Sequence, residues 1–201
     1  MKIIIVRHAQ THENTGGELA ARKSDILLNE VGIAHSKKLA EHLKGEKISH
    51  AYVSPLLRAV HTAQEVLKYH AAVKLTHAEE LLEQSLGIAE TLPKEVFKEM
   101  RKASKDPWHL FKAEGGESYA DLQARATKFF HGLAQKHPND TVLVVSHGGP
   151  LGVLLLHILE KELTEENYRV HQPKNTEFTV VEISEDGSRK IHVLNSQTHL
   201  S

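Results

Sequence analysis

The chain contains no cysteine, which excludes disulfides, thiolate zinc sites and a cysteine nucleophile, and fits a reducing compartment. It also lacks any charge bias: 25 Lys and Arg stand against 26 Asp and Glu in 201 residues. No bulk field therefore invites nucleic acid or an acidic membrane, and any specificity for anions must be local. There is no signal-like apolar region, and greasy stretches such as 151–159 are too short to cross a bilayer. The expectation is a cytoplasmic protein with neither a nucleic-acid nor a membrane partner. HExxH, CxxC and carboxylate clusters of ligand spacing are missing too, so no catalytic metal and no cofactor are expected. The 16 histidines do not change this. Most of them (His35, His42, His61, His70, His131, His137) fall in helix-like polar patterns that suit a solvated face.

The length suits one domain over 1–201 with a modest insertion. Apolar runs at 3–6 and 142–145 read as buried strands, and Ala51-Tyr52-Val53 as a third. A polar, Gly-bearing loop fills 11–29, and helical patterns follow over 33–45, 55–69, 93–104, 118–136 and 150–159. Ser54 before Pro55 and Ser118 before its apolar run both read as N-caps. The signal near 74–82 is weak, enough for one strand and a loop. Alternation around Glu185-Asp186-Gly187-Ser188 predicts a hairpin of 178–183 with 190–194. Strands alternating with helices predict a three-layer α/β/α fold. Its sheet would be mainly parallel, with an antiparallel edge from the C-terminal hairpin and a helical lid at 83–117. An apolar edge in that hairpin would suit a homodimer.

Two of these strands end in histidine. The first delivers Arg7-His8-Ala9 and the other Ser146-His147-Gly148-Gly149-Pro150, at the strand ends where open α/β sheets put their chemistry. Neighbouring parallel strands lie about 4.8 Å apart, close enough for both imidazoles to face one ligand. Arg7 favours an anionic one.

The residues also carry a family resemblance. Arg7-His8-Ala9-Gln10-Thr11-His12-Glu13-Asn14 resembles the RHGxTxxN signature of the histidine phosphatase superfamily, in its phosphoglycerate-mutase-like branch. Residues 54–63 (SPLLRAVHTA) match its SPLxRAxxTA segment, and Leu82-Glu83-Gln84-Ser85-Leu86-Gly87 its acid-bearing LExxxG segment. Gly115-Gly116-Glu117-Ser118 corresponds to its GGES, residues 144–149 to its second-histidine motif, and Asn175-Thr176-Glu177 to a polar stretch before the last strands. The matches occur in family order and span 3 to about 181.

Phosphoryl transfer asks for a nucleophile, positive charge on the non-bridging oxygens and a proton for the leaving oxygen. The resemblance implies that His8 attacks phosphorus and forms a phosphohistidine, with Arg7, Arg58 and His147 forming the phosphate pocket. Guanidinium suits that task through its forked donors and permanent charge. Asn14 can donate an amide to the same phosphate. The loop at Gly148 and Gly149 lets backbone amides approach an oxyanion. Glu83 is the expected general acid, which requires a raised pKa; Glu79 and Glu80 are the alternatives.

Two positions depart from the pattern. Ala9 replaces the usual Gly, narrowing the site and disfavouring positive φ. Ala21-Arg22 align where mutases place a Thr-Gly pair, so Arg22 adds a substrate-facing cation and, with the short chain, favours a phosphatase. The expected activity is a metal-independent phosphomonoesterase acting on a small phosphorylated metabolite. The alternatives are a cofactor-dependent mutase and a phosphate- or protein-binding pseudo-enzyme.

Overall fold

A computed structural model describes residues 1–16, 21–22 and 26–201. Positions 17–20 and 23–25 of the polar loop lie outside the described residues. The sheet is built from β1 (Lys2–Arg7), β2 (His50–Val53), β3 (Leu75–His77), β4 (Thr141–Ser146), β5 (Phe178–Ile183) and β6 (Arg189–Ser196). Their order is β3-β2-β4-β1-β5-β6. β1, β2, β3 and β4 pair in parallel, whereas β5 and β6 add an antiparallel edge. Strands covered on both faces need apolar residues at every position instead of every second one. Ile3-Ile4-Ile5-Val6 and 142–145 meet that demand, all at 2% exposure or less.

The helices, in chain order, are α1 (His12–Gly16), α2 (Glu30–Leu43), α3 (Leu57–Leu67), α4 (Lys94–Ala103), α5 (Tyr119–Lys136), α6 (Gly148–Ile158) and α7 (Glu165–His171). Alternate residues of one strand enter different cores. Ile3, Ile5, Val142 and Val144 pack with Leu122, Phe130, Leu151 and Leu155 of α5 and α6. Ile4, Val6, Leu143 and Val145 pack with Leu39, Leu43, Ala59 and Ala63 of α2 and α3. This is the three-layer arrangement expected from the period-two geometry of a strand. No helix among the described residues is long and apolar enough to cross a membrane.

Register carries the functional geometry. Arg7 pairs with Ser146 across β1 and β4, so the next residues, His8 and His147, leave the sheet side by side. The 83–117 segment forms a satellite of its own. Leu86, Ala89 and Ala113 of this segment bury against Ala21, with Leu92, Phe97 and Met100 around them.

Three local readings change. α3 starts at Leu57 with Leu56 as an uncapped N-cap, so Ser54 is not its cap and is used in the site. His137 is buried at 4% exposure, against the solvated face expected, because it follows the last turn of α5 and contacts Tyr52. α1 and α7 were not foreseen, being five and seven residues long, too short for a helical period to register.

Candidate active site

His8 and His147 lie with ring centroids 5.1 Å apart, and both are buried. The His8 backbone N–H still donates to Ser146 O at 2.9 Å, which prolongs the strand pairing into the site. Its ring Nδ1 is 2.7 Å from Ala9 O. A carbonyl can only accept, so Nδ1 keeps the proton and Nε2 carries the lone pair. Burial, and then the charges of Arg7 and Arg58, hold the His8 pKa well below its ordinary value, so the ring is neutral at physiological pH.

Burial likewise drives the His147 pKa far down, aided by His8, Arg58 and Arg7. Its Nε2 is 2.7 Å from Ser54 Oγ, while Nδ1 is buried without a hydrogen-bond partner. The displaced cap residue Ser54 thus orients the second imidazole.

The two arginines are anchored by backbone carbonyls. Arg7 Nη1 donates to Pro173 O at 2.7 Å, and Arg58 Nη2 to Ala21 O at 2.7 Å. Burial lowers the pKa of each, and Glu83 opposes that in both. Arg58 also connects to the His8–Ala9 loop through Thr62. The Thr62 hydroxyl donates to Arg58 O and accepts from the Ala9 N–H.

A cavity of about 250 Å³ opens here, lined by Arg7, Asn14, Glu83, Tyr119, Gly149 and Tyr168 among others. The Asn14 side-chain oxygen accepts from Thr11 N–H and from Asn175 Nδ2, so its amide NH₂ is the group it can offer. Asn175 Nδ2 also donates to His8 O at 2.9 Å, tying the polar stretch before β5 to the His8–Ala9 loop. Glu83 accepts from Gln84 N–H at 2.8 Å and from Gly149 N–H at 3.3 Å. A Cβ on Gly149 would overlap Glu83 Oε1, so the carboxylate sits where only glycine leaves room. Glu79 and Glu80 are exposed and line a different groove, beside Tyr52 and Lys136.

The glycine loop and Arg22 also help to hold Arg7 and Glu83. The Gly149 amide goes to Glu83, and Gly148 makes room for Arg7: a Cβ there would be 3.2 Å from Arg7 Cζ. Arg22 does not line the cavity. Its Nε donates to Glu83 O at 2.9 Å and its Nη2 to Glu117 Oε2 at 2.8 Å. Arg125 completes that brace, pairing with both Glu117 oxygens at 2.9 Å and donating to Glu80 O and Leu82 O. Burial opposes ionisation of Glu117, but Arg125, the Ser85 N–H and Arg22 outweigh it and hold the carboxyl below its usual range. Two arginines and one carboxylate therefore fix the backbone that carries Glu83.

Tyr119, Tyr168 and Gln172 also stand on the cavity wall, with no motif in the sequence to announce them. Tyr168 and Gln172 come from α7 and its C-cap. Trp108 stacks on Tyr119 at 4.1 Å, and Gln172 Nε2 donates to Tyr168 Oη at 2.6 Å. Burial raises the pKa of both phenols, that of Tyr168 far above its ordinary value, so this wall is uncharged. None of the α4 cations lines the cavity, although Arg101 acts on the Tyr119 phenol. Lys98 and Lys102 pair with Glu95 and Glu99 on the surface, and Arg101 lies 3.7 Å from Glu165.

Comparison with known proteins identifies the family and the fold. The description "Histidine phosphatase superfamily (branch 1)" matches residues 3–197. The metal-independent phosphoserine phosphatase of Arabidopsis thaliana is 31% identical over 169 residues, covering 79% of this chain and 69% of that protein. The phosphoserine phosphatase of Entamoeba histolytica, solved in complex with 3-phosphoglyceric acid, has a TM-score of 0.83 at 27% identity, covering 100% and 99% of the two chains. Bacillus stearothermophilus YhfR has a TM-score of 0.88 at 24% identity over 100% and 99%, a likeness of fold.

Proposed function

The chain belongs to the histidine phosphatase superfamily (branch 1), and on that footing we propose that it is a metal-independent phosphomonoesterase acting on a small phosphorylated metabolite through phospho-His8. The observation that carries this reading is the tautomer of His8: its proton is committed to Ala9 O, and burial keeps the ring neutral. Nε2 is then a ready nucleophile beside two arginines.

In the proposed cycle the Ser54 hydroxyl donates to His147 Nε2, and Arg7, Arg58, the Asn14 amide and the proton then left on the unpartnered His147 Nδ1 hold the phosphoryl oxygens. His8 Nε2 bonds to phosphorus as the P–O bond to the leaving group breaks. Protonated Glu83 gives its proton to the departing alkoxide, which would otherwise leave badly. The Glu83 carboxylate then takes a proton from water, whose oxygen attacks phosphorus and releases phosphate and neutral His8. The segment at 83–117, which contributes Glu83, Gln84, Leu86 and Phe97 to the cavity, serves as the lid. The modest cavity and neutral aromatic wall suit a small leaving group. Relatives named as phosphoserine phosphatases support hydrolysis over the mutase alternative.

The test is phosphate release from a panel of phosphorylated metabolites with EDTA present, with 3-phosphoglycerate isomerisation followed in parallel. Wild type should release phosphate from one or a few compounds, and His8→Ala should be slower by about a thousandfold or more while staying folded. A variant retaining a tenth of the rate would remove His8 from the nucleophile's role. Isomerisation without release would make the enzyme a mutase, and loss of activity in EDTA with recovery on a divalent ion would overturn the metal-independent chemistry.

A further inference from the structure

At the end of the sheet opposite His8 and His147, three ligand-type side chains converge. His50 opens β2, Asp140 immediately precedes β4, and His137 is the C-cap of α5. Asp140 Oδ2 lies 3.2 Å from His50 Nε2 and 3.1 Å from His137 Nδ1. One ligand atom from each residue lies within 4.8 Å of the others, the only such group among the described residues.

We propose that His50, His137 and Asp140 bind a late first-row divalent cation, zinc being the expected occupant, which ties the end of α5 to the starts of β2 and β4. Metal bonds of about 2.0–2.1 Å in tetrahedral array put ligand atoms roughly 3.3 Å apart. The two spacings to Asp140 differ from that by only a few tenths of an ångström. Two imidazoles and one carboxylate suit zinc, nickel or copper, whereas magnesium and calcium prefer sites made of oxygen.

The backbone of the site is fixed before any ion arrives, while the His50 and His137 rings lie 4.0 Å apart at 36°, so the half-exposed His50 imidazole turns slightly to bring Nε2 onto the ion. The Asp140 N–H donates to His137 O, and Asp140 O accepts from Lys2 N–H at 2.9 Å. His50 is held in register with Val142. Behind the site, His137 Nε2 lies 2.9 Å from the Tyr52 hydroxyl, which also accepts from Lys136 Nζ at 3.0 Å. That hydroxyl can serve either tautomer. Without metal it donates to Nε2 while Nδ1–H faces Asp140; with metal on Nδ1, Nε2 keeps the proton and donates to Tyr52. Ligating histidines ordinarily have such a partner on the far nitrogen. The His50 and Asp140 side chains are 43% and 37% exposed, which leaves an entry path and a fourth position for water.

Six residues of β4 separate Asp140 from His147, about 20 Å at the rise of a strand. The ion therefore stabilises the fold and takes no part in phosphoryl transfer. The test is calorimetric titration of EDTA-stripped protein with zinc, beside His50→Ala and Asp140→Asn. Both variants alter half-exposed groups and spare the buried His137.

Wild type should bind one zinc per chain, with affinity lower by tenfold or more in each variant. At a hundredfold excess over Kd the unfolding midpoint should rise by about 5–10 °C, whereas magnesium should leave it unmoved. Cobalt should give a tetrahedral visible spectrum that Asp140→Asn abolishes, and phosphatase turnover should not change. Absence of zinc binding in wild type, or equally tight binding by both variants, would overturn the proposal. The latter result would place the ion on other histidines.

Discussion

Ala9, where the resembled family carries glycine, is fully buried, and its N–H reaches Thr62 Oγ1 at 2.9 Å. Its φ is not positive, so the methyl costs no backbone strain, and what the departure changes is the room in the site. The more demanding glycine is Gly149, against which Glu83 rests. If Glu83 is the general acid, Glu83→Gln should slow alkyl phosphates by about 10²–10⁴. It should spare para-nitrophenyl phosphate, whose leaving group needs little protonation. Gly149→Ala, by displacing the carboxylate, should show the same dependence on leaving group. Equal losses on both substrates, measured as kcat/KM, would reassign the acid. Arg7, His8, Glu83 and His147 were readable because each sits in a contiguous motif at a strand end or loop. Tyr168 and Gln172 were not, since nothing near them in sequence announces the cavity they reach.

Elements were legible where their residues meet one uniform demand. β1 and β4 are apolar at every inner position because both faces are covered, and α5 carries Leu122, Ala126, Phe130 and Leu133 on a buried stripe. α3 began later than its Ser54-Pro55 signal because the Ser54 hydroxyl is engaged by His147. α7 escaped notice although Thr164 caps it and opposite charges occupy its two ends; seven residues hold too little pattern to count. The expected Ser118 cap is present and is part of a capping box with Asp121. Ser118→Ala should lower stability by about 1 kcal/mol, read as a lower urea midpoint. A change below a few tenths of a kcal/mol would mean that the Glu117 brace, and not the cap, holds the start of α5. Leu143→Ala, at a site with no exposure between two layers, should cost about 2–5 kcal/mol.

Across the whole molecule a few buried histidines couple folding to pH. Burial holds His8 and His147 neutral well below their ordinary pKa. His199, packed near His42 and Phe178, is lowered to about 4, mainly by burial. Above pH 6.5 these rings are neutral in both folded and unfolded chains. As pH falls through 6.5 only the unfolded chain takes up protons, so stability falls toward acid, each ring contributing about 1.4 kcal/mol per pH unit. Urea unfolding in phosphate-free buffer should therefore show a midpoint lower at pH 5.5 than at pH 7.5, with a shallower decline in His199→Gln. A flat profile would contradict the buried neutral state.

The central claim, that a neutral His8 is the phosphoryl acceptor, is tested most directly by quenching the enzyme in alkali during turnover of a substrate labelled in its phosphoryl group. The account predicts an alkali-stable, acid-labile label on the peptide containing His8, at no more than one per chain and absent from His8→Ala. Sustained turnover with no such label, or a label on another residue, would contradict it.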